Sequence, residues 1–337
     1  MQIGPAHRAL AEKYLHKDTF KEIIVLDSLL NVLAYTFTEE EAEIINQLGM
    51  KMQSPKSIAK KVNRPVDEVQ PILQSLAERV LIIGFTVKGV SLYGLMPLYP
   101  MVYDAQMLMS DKKMREGDSG EFYKEFTRLF KEFWEEFNQW LCSQEVAKRY
   151  QIFGVPYGRI ISVERAIEAS PGLGVIAFPT DIYSEMVERS KKSLCLINVC
   201  ACRQGMVLLG KGCGRLENTC STMGLPAEGA IKAGMGRRVS KEEFLEAKMR
   251  ATESGLVHMT ENTRDPILVC SCCSCCCAIM RTLKQFNSPN ILTQSHFEAV
   301  IDPEKCKGFK ICLDFCPMGA ITMKDKEAVI DYKRCSG

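Results

Sequence analysis

The chain lacks any surplus of charge. Its 43 Lys and Arg against 41 Asp and Glu leave a net charge of +2, which argues against bulk nucleic acid as its main partner. It also lacks an unbroken apolar run. The longest weakly charged stretch, Val80 to Tyr103, has Lys88 as its one charge but is interrupted by Gly84, Gly89, Gly94, Pro97 and Pro100. It reads as a hairpin turning at Lys88-Gly89, not as a membrane span. The N-terminus, Met1 to Arg8, has no apolar signal core, so a cytoplasmic protein is expected. Gly172 and Gly174 lack the third glycine of a dinucleotide fingerprint and follow Pro171, so they carry no weight.

Cysteine is what the chain has in excess. There are 16 in 337 residues. In a reducing compartment such usage points to metal or redox chemistry, not disulfides. Between Cys270 and Cys277 the sequence is Cys-Ser-Cys-Cys-Ser-Cys-Cys-Cys, six thiols in eight positions. Thiols that crowded oxidise or scavenge metal unless something binds them, and soft metal held by thiolates is the reading with the best warrant. A hydrophobic content of 46% over this length allows two or three cored domains.

The pattern is α+β and divides into four segments. Residues 1–104 read as a winged-helix-like domain. Glu39-Glu40-Glu41 opens a helix bearing Ala42, Ile44, Ile45 and Leu48. Ser54 caps a second helix, and Pro65 sits at the first turn of a third, whose apolar face is Val66, Val69, Ile72, Leu73 and Leu76. Pro71 is expected to bend that helix. The hairpin Val80–Met96 would be the wing. The third helix offers Asp67, Glu68, Gln70, Gln74, Glu78 and Arg79 where a reading helix needs base-edge donors, so a packing or docking role is favoured over DNA binding. Residues 105–192 read as a helical segment. Within it Phe122, Phe126, Phe130, Phe133 and Phe137 fall at spacings of four, four, three and four, a stripe that helical packing explains without a cofactor pocket.

Residues 193–300 read as a Cys-rich metal-binding domain. Strand Leu194–Val199 delivers Cys200-Ala201-Cys202-Arg203, and Cys213 and Cys220 follow in a Gly-rich loop. Ser240 and Glu243 form a capping box for a helix carrying Phe244 and Leu245. After Gly255-Leu256-Val257-His258, a strand Ile267–Val269 ends at the cysteine run. The candidate ligands are Cys200, Cys202, Cys213, Cys220, Cys270, Cys272, Cys273, Cys275, Cys276 and Cys277, with Arg203 and His258 as candidate cofactor contacts. Zinc is the rival to iron, for Cys202, Cys213, Cys220 and one member of the run would close a tetrathiolate site. A single zinc uses four ligands where this segment has 11 cysteines, so iron is favoured, with zinc at one site left open. Cys142 and Cys195 read as small core residues, and for His258 a satisfied histidine is favoured over a metal ligand or proton acceptor.

Residues 301–337 carry Cys306, Cys312 and Cys316-Pro317, with Cys335 coming 19 residues after Cys316. This segment resembles a bacterial two-cluster 4Fe-4S ferredoxin domain. The resemblance implies Cys306, Cys312, Cys316 and Cys335 as iron ligands, the first two on one cluster and the last two on the other. Phe309 stands where the second Cys of the first motif belongs. Further ligands would follow Cys335, so the resemblance implies a truncated domain. Lys305, Lys307 and Lys310 make its rim basic, as for docking an acidic redox partner or as a plain solvated face.

The third segment resembles anaerobe ferredoxin-type iron–sulfur proteins, which share the C-x-C-R stretch, the G-L-V-H segment and the C-x-C-C-x-C-C-C run. The resemblance implies an iron–sulfur protein passing electrons between a donor and a partner redox enzyme. Two other readings stay open: a redox- or metal-sensing regulator using the winged helix, and an enzyme binding substrate at an open cluster iron. The sequence does not specify an oligomeric state.

Overall fold

The computed structural model describes residues 2–16, 23–144, 158–168, 182–190, 193–286, 292–293 and 295–335. Gly172, Gly174 and much of the stretch expected to be helical after residue 144 lie outside them. Helix and strand are mixed, and the chain divides into two compact units, 1–141 with 208–210, and 142–207 with 211–337. Among the described residues no helix is long and apolar enough to cross a membrane.

The first unit is mainly helical. Helices α1 (Pro5–Tyr14), α2 (Asp27–Thr36), α3 (Glu39–Ile45), α4 (Pro55–Val62) and α5 (Val66–Glu78) precede a hairpin of β1 (Ile83–Val87) and β2 (Val90–Gly94). Thr38 caps α3 in a reciprocal box, its hydroxyl accepting from the Glu41 N–H at 3.1 Å while the Glu41 carboxylate accepts from the Thr38 N–H at 2.9 Å. Ser54 caps α4 as its sequence suggests. Pro65 stands one position earlier than expected, before the first turn of α5, where its carbonyl accepts from Glu68 and Val69. Helix α5 continues through Pro71 and buries Val69, Leu73 and Leu76, leaving Val66 exposed. The hairpin turns at Lys88-Gly89, both at positive φ (49° and 79°), the conformation that a two-residue turn between twisted strands demands.

Two further helices, α6 (Tyr103–Arg115) and α7 (Glu121–Ser143), complete this unit. Phe126, Phe130, Phe133 and Phe137 are buried, and Phe130 stacks on Tyr103 at 4.4 Å between ring centroids. The stripe is packed core.

The second unit is built on a seven-stranded sheet. Its elements in chain order are β3 (Gly158–Ile161), α8 (Glu164–Glu168), α9 (Tyr183–Ser190), β4 (Leu194–Ile197), α10 (Ala201–Leu208), β5 (Ser221–Met223), α11 (Leu225–Lys232), β6 (Gly236–Arg238), α12 (Lys241–Glu253), β7 (Val257–Glu261), β8 (Leu268–Cys272), α13 (Ala278–Phe286) and β9 (Leu292–Thr293). The strand order is β6-β4-β5-β8-β7-β3-β9, and every pairing is antiparallel except β3 with β9. The region 105–192 therefore holds strand β3 of this sheet as well as helices. Tyr183, Met186 and Val187 of α9 and Phe244 and Ala247 of α12 bury one core with Leu194, Leu196, Met223 and Val269. Helix α12 is capped by Ser240, but only half of the expected box forms. The Glu243 carboxylate pairs instead with the Arg237 guanidinium at 2.5 Å, because a cation outcompetes a neutral N–H for it.

The chain continues into α14 (Ile311–Phe315) and a hairpin of β10 (Ile321–Lys324) with β11 (Glu327–Ile330).

Candidate metal centre

Sheet order brings the cysteines together. Strand β5 pairs antiparallel with both β4 and β8, through Leu196↔Ser221 and Ser221↔Val269. Strands β4 and β8 therefore run parallel on either side of it. Cys200 lies just past the end of β4, Cys220 just before the start of β5, and Cys270 and Cys272 at the end of β8, all at one end of the sheet. The Ile197 N–H donates to the Cys220 carbonyl at 3.0 Å, fixing that end. The sequence placed the cysteine run after its strand. Instead β8 runs into it, so Cys270 and Cys272 occupy one face of β8 and Ser271 the other.

Two helices begin at cysteines. The Cys200 carbonyl accepts from Gln204 N–H at 2.8 Å, opening α10, and the Cys277 carbonyl accepts from Arg281 N–H at 2.9 Å, opening α13. The Arg203 N–H points at the Cys200 sulfur, and those of Ile279 and Met280 point at the Cys277 sulfur. First-turn N–H groups and the helix dipole both favour negative charge there.

Four thiols form the tightest group. Cys213, from the Gly-rich loop, meets Cys273, Cys275 and Cys276 with all four sulfurs within 4.8 Å of one another. Cys275 and Cys276 have their sulfurs 3.8 Å apart. A tetrahedral metal with metal–sulfur bonds of about 2.3 Å spaces its ligands by about 3.8 Å, so the group fits one such ion. Ala251, Leu256 and Met206 pack around it and leave Cys275 at the exposed side. The Cys273 thiol is drawn down to about 4, first by a hydrogen bond from Cys276 and further by Arg203, while Cys276 is displaced upward in exchange. Burial and the neighbouring Cys273 push Cys275 up to about 11.

Two buried cations adjoin these thiols. Arg203 is 1% exposed, donating to the Ser271 carbonyl at 3.1 Å, to Thr219 Oγ1 at 3.0 Å and to the Cys273 sulfur at 4.0 Å. Its Nε makes no hydrogen bond but forms an ion pair at 3.8 Å with the Glu217 carboxylate. Lys248 is fully buried, its Nζ donating to the carbonyls of Thr219 at 2.6 Å and Val269 at 2.7 Å and to Ser271 Oγ at 3.4 Å. Three acceptors suit an ammonium. Burial lowers Lys248 to about 8, and the thiolates of Cys220, Cys270 and Cys272 oppose that fall. An arginine stays charged, and buried charge is costly unless paired. Glu217 pairs with Arg203 and the neighbouring thiolates add counter-charge, so the donor set fits a soft cation both in chemistry and in electrostatics.

Placement of the other expected residues differs from case to case. Of Cys202, Cys213 and Cys220, the proposed zinc set, only Cys213 joins the four-thiol group, because the Gly-rich loop separates it from the sheet end. His258 is buried, with Nε2 2.8 Å from Thr252 Oγ1 and Nδ1 3.3 Å from Ser271 Oγ. Both ring nitrogens are thus engaged by hydroxyls. Cys195 is fully buried on β4, and Cys142 is half-buried. Cys306, Cys312, Cys316 and Cys335 are half-buried, and among the described residues no three of them meet within 4.8 Å. The Cys316 sulfur accepts from Ala320 N–H at 3.2 Å and the Cys306 sulfur from Ala328 N–H at 3.5 Å. Phe309 is 76% exposed.

Lys248 and Ser271 escaped the sequence reading. A signal existed for Lys248, which falls four residues after Phe244 and one after Ala247, on the apolar face of α12. Compared with protein-family models, curated proteins and solved structures, the chain matches none.

Proposed function

We propose that the chain is an iron–sulfur protein that carries electrons between a donor and a partner redox enzyme. One observation carries the reading: four thiols meet in one group, and Cys200, Cys220, Cys270 and Cys272 lie at the sheet end from which that group's run continues, beyond the four ligands of a structural zinc. Bound iron would supply a one-electron couple. Cys213, Cys273, Cys275 and Cys276 would hold metal, and Arg203 would offset the charge of the thiolates. Residues 301–337 are read as a ferredoxin-like domain whose N–H···S bonds at Cys306 and Cys316 suit iron ligands. The whole is read as a cytoplasmic protein.

A second reading, zinc in the four-thiol group, is favoured by the 3.8 Å spacing of Cys275 and Cys276. The regulator reading has less support. On α5 of the winged-helix-like unit, Glu68 is held by Arg64 at 3.2 Å and Glu78 by Gln74 at 2.8 Å, which leaves an acidic, internally paired face.

Anaerobic purification with iron, zinc and acid-labile sulfide analysis, and low-temperature EPR on the same sample, tests the proposal. Sulfide with about three or more irons per chain is expected. Zinc without sulfide would establish the second reading, and a folded, colourless chain free of metal would overturn both.

A further inference from the structure

Cys275 is set apart from the other cysteines by its position. Among the described residues it alone of the 16 is exposed. Within the four-thiol group, Cys273 and Cys276 are 3% exposed and Cys213 is half-buried. Met206, Ala251 and Leu256 close the buried side. A small molecule arriving from solvent therefore meets the Cys275 sulfur first, with three more sulfurs within 4.8 Å of it. A metal-bound thiol is deprotonated outright, so on the loaded chain that sulfur is a thiolate. An accessible thiolate with a second thiol in reach is the setting in which peroxide yields a disulfide.

Three sulfurs compete to close such a bond with Cys275. Cys276 has its sulfur at 3.8 Å, but it is the next residue in the chain. Consecutive Cα atoms stand about 3.8 Å apart, short of the roughly 4.4 Å at which disulfide geometry begins. Cys273 is pinned from two sides. Its sulfur faces the Arg203 guanidinium at 4.0 Å, and its carbonyl accepts from the Cys277 N–H at 3.1 Å. Cys213 is held less firmly. It lies in residues 211–216, which form neither helix nor strand. A side chain at the neighbouring Gly214 would meet nothing within 4 Å. That stretch has room to bring its sulfur to the bond length of about 2.05 Å.

We propose that Cys275 is a site of oxidation by peroxide, resolved by Cys213 into a disulfide that expels the metal of the four-thiol group. The proposal rests on that group holding metal, whichever metal it is. In the first step the Cys275 sulfur attacks one oxygen of hydrogen peroxide. The O–O bond breaks, hydroxide leaves, and the sulfur becomes a sulfenic acid. In the second step the Cys213 thiolate attacks the Cys275 sulfur, the S–O bond breaks and a second hydroxide leaves. Both hydroxides take up protons as water, and the peroxide has gained two electrons, one from each sulfur. Cys273 and Cys276 remain, two of the four ligands that a tetrahedral site needs.

The test uses the full chain, loaded with zinc without oxygen and treated with an equimolar amount of hydrogen peroxide. The product is alkylated and mapped by mass spectrometry without reduction. A bond between Cys213 and Cys275 is expected, with loss of about one zinc ion per chain to a chromogenic chelator. Dithiothreitol should restore both thiols and the lost zinc capacity. In Cys213→Ser the sulfenic acid should persist, so that dimedone labels Cys275 there and not in the unaltered chain. Oxidation confined to other cysteines, or a bond from Cys275 to Cys273 or Cys276, overturns the proposal. So does a chain that keeps both its zinc and its thiols, which leaves the metal reading standing. A chain that takes up neither zinc nor iron before peroxide is added overturns the metal reading, and the proposal with it. Mapping of the unaltered chain decides the matter even if the serine variant fails to fold.

Discussion

The Arg203 guanidinium reaches the Ser271 carbonyl with one nitrogen and the Thr219 hydroxyl with another, at 3.1 and 3.0 Å. One side chain thereby ties α10, the approach to β5 and the end of β8, the three places from which the clustered cysteines issue. A lysine at this position lacks the planar fork that sets two nitrogens against these two acceptors at once. Arg203→Lys is expected to lower stability by about 1–3 kcal/mol, the cost of orphaning a buried polar group, as read from the urea midpoint. Equal midpoints for the two proteins would show that the bridge contributes nothing.

Lys248 offers a sharper test. Lys248→Met keeps most of the apolar stem but removes the ammonium, which lies 5.2 Å from the Phe244 ring centroid, and strips three acceptors of their donor. The loss is expected at about 3–5 kcal/mol, as for other broken buried charge systems. The variant should also hold metal less tightly, because its thiolates have lost a counter-ion. Chelator competition against the unaltered chain measures this.

His258 sets a pH dependence. Burial, reinforced by Lys248, lowers its pKa from 6.5 to about 3. The folded imidazole is therefore neutral while the unfolded one takes a proton below 6.5. Its contribution is present in full above that pH and is lost as pH falls towards 3, with a slope of about 1.4 kcal/mol per unit. Urea midpoints between pH 7 and 4 should fall more steeply for the native chain than for His258→Gln, and superimposable profiles would refute this.

Metal removal should separate ligands from plain cysteines. A chelator should lower the melting temperature of the loaded chain, by an amount corresponding to about 2.7 kcal/mol at a hundredfold excess of metal over its Kd. Cys213→Ser should shrink that difference and Cys195→Ala should leave it intact. A difference that follows Cys195 instead would mean that the four-thiol group holds no metal.

Much of this was legible before any coordinates. The Lys88-Gly89 turn, the Ser54 cap and the aromatic stripe of α7 rest on local rules and appear where those rules put them. The segment Gly255-Leu256-Val257-His258 shows what structural work a motif can do. Gly255, at φ 71°, ends α12, with the Leu256 N–H returning to the Ala251 carbonyl at 3.0 Å. Leu256 packs beside Cys273 and Cys276, and His258 satisfies two hydroxyls. The four residues supply a helix stop, a wall and a core residue. The division of the thiols was not legible, because it follows from β5 lying between β4 and β8, a non-local choice that spacing does not encode. The Glu243 carboxylate left its cap for the same reason, drawn to an arginine on β6.

The sharing of the Cys270–Cys277 run has an evolutionary and engineering consequence. Cys270 and Cys272 belong to the end of β8, Cys273, Cys275 and Cys276 to the four-thiol group, and Cys277 to the start of the following helix. A one-residue insertion or deletion between those two points would reassign every thiol downstream of it, so the run should reject any change of length.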